Sequence, residues 1–243
     1  MYNWLDREFI EYYGRITGVD EAGRGPLAGP VVAAAVFLSA SQERELLVNI
    51  PFINDSKKLS EKKREMIWEY CKVHEISYAI GLCDEVMIDN HNILIGTNIA
   101  MNSALEKLNI PHDLALIDGK NLTINYPNKQ IIKGDALSLR IALASNIAKV
   151  VRDQIMRGYS QKHPEFGFDK NKGYGTQAHL KALYLYGPTP FHRLTFKPLY
   201  ELITEKRLME WSESGEIALD RYQRVLQKMK QNHLTQKQLT GFL

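Results

Sequence analysis

Four acidic residues stand where apolar runs end. Asp20 and Glu21 close a strand-like segment and lead into Ala22-Gly23-Arg24-Gly25-Pro26. Asp118 closes Leu114-Ala115-Leu116-Ile117 and precedes Gly119, and Asp135 follows Lys133-Gly134 at the mouth of a long helical pattern. Strand ends of an α/β sheet are where ligands gather, so acids far apart in sequence can converge there. Converging carboxylates cannot all stay ionised and unpaired, because repulsion and desolvation both penalise the charged form. Hard divalent cations resolve this conflict, and an all-oxygen donor set points to Mg2+ or Mn2+ over a metal held by His or Cys. Two such ions about 4 Å apart suit phosphodiester hydrolysis, one activating water and one stabilising the leaving oxygen. Taken singly, Asp118 and Asp135 also read as ordinary turn or N-cap residues. Asp20-Glu21 also reads as a metal-free acid/base pair; since adjacent strand residues point to opposite faces, Glu21 joins a shared site only where the strand ends or twists.

The glycine-rich segment after these acids, Gly23-Arg24-Gly25-Pro26-Leu27-Ala28-Gly29-Pro30, departs from the dinucleotide fingerprint in spacing and is followed by a strand pattern. It also lacks the Gly-Lys-Ser/Thr ending of a P-loop. Its glycines expose backbone groups, and Arg24 between them can meet a phosphate. Positive charge gathers in two further places. Residues 157–198 carry seven Lys or Arg against two acids, together with His163, His179 and His192. Lys57-Lys58 and Lys62-Lys63-Arg64 form a second cluster. Such clusters are also ordinary solvated faces, and they gain meaning only from what they surround.

The elements expected to position these residues alternate. Strands are expected at residues 15–20, 31–38, 75–83, 114–118 and 129–133. Helices are expected at 60–74 behind an N-cap at Ser60, at 93–108, at about 137–157, and from an N-cap at Thr176 to Tyr186. This order implies an α/β domain with a mixed sheet. From about Leu199 the pattern is helical only. The expected division is therefore a catalytic domain at 1–198 and a small helical C-terminal subdomain at 199–243.

The chain has 243 residues, a net charge of +3 and 44% hydrophobic residues. That suffices for one packed domain with an appendage and excludes a disordered or repetitive chain. No apolar run approaches membrane-spanning length, and the first residues form no basic apolar leader. Cys71 and Cys83 stand apart, so a disulfide framework or structural zinc site is not expected and a cytoplasmic location fits. His74, His91, His112 and His233 have no ligand or nucleophile–base spacing. No Gly-x-Ser-x-Gly occurs, which leaves covalent acyl transfer without support. Nothing in the sequence demands a partner subunit, and a monomer is expected.

Gly18-Val19-Asp20-Glu21-Ala22-Gly23-Arg24-Gly25-Pro26-Leu27-Ala28-Gly29-Pro30-Val31-Val32 closely resembles the N-terminal signature of bacterial ribonuclease HII, a type 2 RNase H. The resemblance continues in Asn54-Asp55-Ser56-Lys57-Lys58-Leu59-Ser60, in Leu116-Ile117-Asp118-Gly119 and in Lys133-Gly134-Asp135. It resumes in Ala148-Lys149-Val150-Val151-Arg152-Asp153, in Lys172-Gly173-Tyr174-Gly175-Thr176 with His179, and in His192-Arg193-Leu194-Thr195-Phe196. One block can match by chance; an ordered set spanning roughly residues 15–198 does not.

The resemblance implies an RNase H-like mixed sheet flanked by helices. It also implies a site for two Mg2+ or Mn2+ ions on Asp20, Glu21, Asp118 and Asp135; Asp20, first in the motif and ending the central strand, is the residue expected to bridge both. The implied reaction is endonucleolytic hydrolysis of the RNA strand of RNA–DNA hybrids, and cutting on the 5′ side of single ribonucleotides in duplex DNA, leaving 3′-hydroxyl and 5′-phosphate ends. Gly23, Arg24, Gly25 and Tyr174 would sense the ribose 2′-hydroxyl, the group that distinguishes RNA from DNA. Lys57, Lys58 and the basic stretch at 157–198 would line a groove for the nucleic-acid backbone. The rival readings are a resolvase-like nuclease of the same superfamily acting on DNA, and an inactive nucleic-acid-binding protein.

One departure from the family pattern stands out: Arg140-Ile141-Ala142-Leu143-Ala144-Ser145-Asn146-Ile147-Ala148 replaces the commoner Ser-Ile-Ala-Ala-Ala-Ser-Ile-Leu-Ala form, with Asn146 the most unusual change. At the other end, Gln236-Lys237-Gln238-Leu239-Thr240-Gly241-Phe242-Leu243 resembles peptides that dock DNA sliding clamps, where apolar side chains fill a pocket and the glutamine hydrogen-bonds. A frayed helical end with a few apolar residues reads the same way.

Overall fold

In the computed structural model, which describes residues 4–54 and 56–240 with side chains up to Asn232, five strands form one sheet in the order β3-β2-β1-β4-β5. They are β1 (Ile16–Ala22), β2 (Val31–Phe37), β3 (Ser77–Cys83), β4 (Leu114–Asp118) and β5 (Asn128–Ile131). β2 pairs antiparallel with both β1 and β3, whereas β4 runs parallel to β1 and to β5. The expected mixed sheet is therefore present. Its inner strands read as continuous apolar runs because both faces are covered: Val31 to Val36 are all fully buried.

β1 extends two residues beyond the expected end, to Ala22, because Asp20, Glu21 and Ala22 still pair with Ala34, Ala33 and Val32 of β2. On the other side, its parallel ladder with β4 stops at Val19 opposite Ile117. Asp20 and Asp118 are thus the next residues on two neighbouring parallel strands, just past the last ladder pair. That half-open edge, set by unequal pairing on the two sides of one strand, lets residues within β1 serve as a strand-end site.

Several helices match their expected positions. Ser60 caps the helix Glu61–Val73 by accepting from Lys63 N–H, and Thr176 caps Gln177–Tyr186 by accepting from His179 N–H. The helix Ile93–Leu108 runs as expected, and the long helix, Leu139–Lys162, extends five residues further than expected. Asp6–Tyr13, Ala40–Asn49 and Glu85–Asn90 are helical without having stood out in the sequence. Gly18 explains how the long helix reaches the sheet: a Cβ there would lie 2.2 Å from the backbone carbon of Arg140. Only glycine in the central strand allows so close a backbone approach.

The chain divides into two compact units. One comprises residues 1–24, 30–83 and 94–154, and holds the whole sheet. Its main core includes Ala34, Val36, Leu46, Ile67, Ala142 and Ile147. The other comprises residues 25–29, 84–93 and 155–243. Within it the C-terminal helices Leu199–Leu202, Glu205–Glu213 and Leu219–Thr240 share an apolar cluster of Leu194, Leu208, Trp211, Val225 and Met229. No helix among the described residues is long and apolar enough to cross a membrane.

Candidate active site

In the sheet-bearing unit, Asp20, Asp118 and Asp135 offer carboxylate oxygens that all lie within 4.8 Å of one another. Each comes from a different segment. Asp20 is in β1, Asp118 ends β4, and Asp135 sits in a short 3-10 turn, Gly134–Ala136, just before the long helix. One hydrogen bond sets the third against the second: Gly134 N–H donates to Asp118 Oδ1 at 2.6 Å. The turn is reached through Lys133, whose φ of 58° places it in the left-handed region. Asp20 and Asp135 are buried, at 4% and 5% exposure.

Burial pushes the Asp20 carboxyl well above the usual carboxylate range, and the charges of Glu21 and Asp118 push it further. Opposing them, Asp20 accepts hydrogen bonds from Ser145 and from Glu21 N–H, the latter at 2.7 Å. Ser145 in turn meets Ser56 at 2.8 Å between hydroxyl oxygens. Glu21 lies outside the triad of converging oxygens but within its electrostatic reach. Burial raises its carboxyl, Arg24 counteracts this from 3.7 Å, and Asp118 adds to the rise. Carboxylates held this close and penalised this strongly for ionising form a donor set that fits hard divalent cations.

The other expected site residues divide by unit. Lys57, on the short turn Ser56–Lys58, brings its ammonium to 3.9 Å from Asp135 Oδ2, while Lys58 is exposed beside it. Gly23 has a φ of 99°, and a Cβ there would lie 2.1 Å from Arg152 Nε, so the strand can turn past this buried arginine only with glycine. Arg152 holds the far side of the same turn by donating to Pro30 O at 3.0 Å. In the second unit, Gly25 faces Tyr174: a Cβ on Gly25 would sit 3.6 Å from Tyr174 Cε1. Tyr174 is 46% exposed. Its loop is tied to the glycine segment by Leu27 N–H donating to Gly173 O at 2.8 Å.

Ser145, Ser56 and Arg152 took no role in the sequence reading, although Ser56 and Arg152 lie inside its matched blocks and Ser145 in the one that departs. A lone serine on an apolar helix gives no local signal of the carboxylate it meets. Asn146, the unusual residue beside Ser145, is fully buried and donates to Asn54 O at 3.0 Å and Ala142 O at 2.7 Å. It thereby ties the long helix to the loop carrying Lys57. The segment at 236–243 lies outside the residues whose side chains are described.

Comparison with known proteins gives the family and the fold. The family model for ribonuclease HII matches residues 17–199. The ribonuclease HII of Endomicrobium trichonymphae is 46% identical over 207 residues, covering 84% of this chain and 96% of that protein. Among solved structures, ribonuclease H2 from Pyrococcus horikoshii OT3 is similar with a TM-score of 0.61 at 26% identity, covering 77% of this chain and 96% of that one. Bst-RNase HIII in complex with Mn2+ shares the fold with a TM-score of 0.59 at 20% identity, covering 77% of this chain and 68% of that one. A match of this extent, with identity spread over most of both chains, places the protein in the ribonuclease HII family, as a metal-dependent endonuclease of the RNase H type.

Proposed function

We propose that this enzyme hydrolyses the RNA strand of RNA–DNA hybrids and cuts on the 5′ side of single ribonucleotides embedded in duplex DNA, leaving 3′-hydroxyl and 5′-phosphate ends. The observation that carries the reading is the convergence of Asp20, Asp118 and Asp135 within 4.8 Å at the open edge beside β1 and β4. Asp20, Glu21, Asp118 and Asp135 would hold two Mg2+ or Mn2+ ions. When bound, such ions supply a lowered pKa for the attacking water and charge to stabilise the leaving oxygen.

The chain's own groups do the rest. Ser145 orients Asp20 by donating to it, and Gly134 N–H keeps Asp118 turned toward Asp135. Lys57 and Arg24, each beside one of the carboxylates, would meet phosphate oxygens of the scissile strand. Lys58 would add backbone affinity without sequence readout. Gly23, Arg24 and Gly25 would present backbone groups to the ribose 2′-hydroxyl. The ring of Tyr174, adjoining Gly25, would pack on the same sugar. Mn2+ in the related Bst-RNase HIII supports the choice of metal. Residues 236–243 would dock a sliding clamp, a proposal resting on their sequence alone.

The test is cleavage of a labelled DNA duplex with one ribonucleotide beside an all-DNA duplex, with each metal and with chelator. The expected result is a chelator-sensitive cut 5′ of the ribonucleotide only, lost in Asp118→Asn. Cutting of both duplexes would replace this reading with a resolvase-like one, and binding without cutting would point to an inactive protein.

A further inference from the structure

Two histidines in the second unit are fully buried and unused by the reaction. His179, in the first turn of Gln177–Tyr186, places Nδ1 2.9 Å from the carbonyl oxygen of Tyr174. Its Nε2 lies 3.1 Å from Nε2 of His192. His192 Nδ1 in turn receives the N–H of Thr189 at 3.0 Å. The Thr189 hydroxyl is also 2.9 Å from that nitrogen. The ends of this chain settle the protons within it. A backbone N–H can only donate, so His192 Nδ1 must accept and its proton sits on Nε2. A carbonyl oxygen can only accept, so His179 Nδ1 must carry its proton and His179 Nε2 is the lone pair that receives His192 Nε2–H. One arrangement satisfies every contact, and in it both rings are neutral. Adding a proton to His179 would set N–H against N–H across 3.1 Å.

The surroundings enforce neutrality. Phe166 and Phe168 pack edge-on or tilted against both rings. Among the described residues, the charges of His179, His163 and Arg221 all act to keep His192 unprotonated. Burial, then His179, lowers the His192 ring to about 3, and burial lowers His179 as well. Arg193 donates to Pro26 O at 2.9 Å and to Gly29 O at 2.9 and 2.7 Å, bracketing the segment that begins at Gly25.

We propose that His192 and His179 form a neutral, tautomer-locked relay that positions Tyr174 against Gly25 for ribose discrimination, while Arg193 fixes the glycine segment it faces. This rests on the reading of Tyr174 as a ribose contact. His179 and His192 act through Tyr174 and do not touch substrate; they are positioning residues.

The experiment has two parts. In wild-type protein labelled with 15N-histidine, His179 should show the Nδ1–H tautomer and His192 the Nε2–H tautomer, unchanged from pH 6 to 8; the opposite tautomers, or titration of either ring in that range, would overturn the relay. In the second part, kcat/KM on a single-ribonucleotide duplex is compared for His179→Leu, His179→Asn and Tyr174→Ala. Both His179 variants lose the contact to His192 and share any structural cost, but asparagine keeps a short N–H donor toward Tyr174 O. Loss of that donor is expected to lower kcat/KM about tenfold in His179→Leu, the equivalent of one hydrogen bond, with recovery to within about threefold of wild type in His179→Asn. Equal losses in the two would reduce the pair to packing and overturn the proposal. Wild-type kcat/KM in Tyr174→Ala would instead remove the reading of Tyr174 beneath it, whereas a loss there with a wild-type His179→Leu would leave that reading standing and sink the relay alone.

Discussion

Replacing Asp118 with asparagine should make the metal-free protein more stable while abolishing its activity. The carboxylate oxygens of Asp20, Asp118 and Asp135 lie within 4.8 Å of one another. At an effective dielectric of about 20, two unit charges at that separation repel by roughly 3 kcal/mol. Asp118 is part-exposed, so solvent screens the charge, and a net relief of about 1–2 kcal/mol is the reasonable scale. Asparagine keeps an Oδ1 to accept from Gly134 N–H, so the hydrogen bond at 2.6 Å survives in kind. For a chain of this size, that relief corresponds to a rise in Tm of about 2–8 °C. The assay is thermal unfolding of both proteins in chelator, followed by titration with Mg2+ or Mn2+. Ligand at about a hundred times its Kd adds roughly 2.7 kcal/mol to the state that binds it, so wild type should overtake the variant once metal is added. The reasoning is refuted if Asp118→Asn melts at or below wild type in chelator. Equal metal-induced gains in the two proteins would remove Asp118 from the binding set.

Two other perturbations test the second unit. His192 has a folded-state pKa of about 3 against about 6.5 when unfolded, so between those values only the unfolded chain takes up the proton. Stability should therefore be flat with respect to this group above pH 6.5 and fall with acidification, by about 2 kcal/mol at pH 5. Urea denaturation at pH 7.5 and 5 measures the difference, and the slope should flatten in His192→Gln; an equally steep slope there would place the effect elsewhere. Arg221→Ala should cost about 3–5 kcal/mol, because it strips the guanidinium from buried Asp89, 2.8 Å away. A drop in Tm of less than about 3 °C would show that Leu194 N–H, Thr195 N–H and the Thr195 hydroxyl, which also donate to Asp89, suffice to hold its charge.

Much of this protein could be read from local patterns. Strand alternation, the caps Ser60 and Thr176, and the acids closing apolar runs are short-range signals, because backbone periodicity and turn chemistry act over a few residues. The triad of Asp20, Asp118 and Asp135 was visible in this way, as was the concern over Glu21. In the structure that residue pairs with Arg24 at 3.7 Å and is not among the three converging oxygens, yet the charge of Asp118 still acts on it.

Tertiary structure decided the rest. The end of the β1–β4 ladder at Val19 and Ile117 made an open edge within a strand that continues on its other side. Gly134 N–H oriented Asp118, and Ser145 reached Asp20 across more than a hundred residues of chain. The proton order in His179 and His192 follows from a threonine amide at one end and a tyrosine carbonyl at the other. These features depend on which side chains face one another after the elements pack. Sequence by itself determined which residues could do the chemistry; their distances, burial and protonation arose only once the fold had removed them from water and chosen their neighbours.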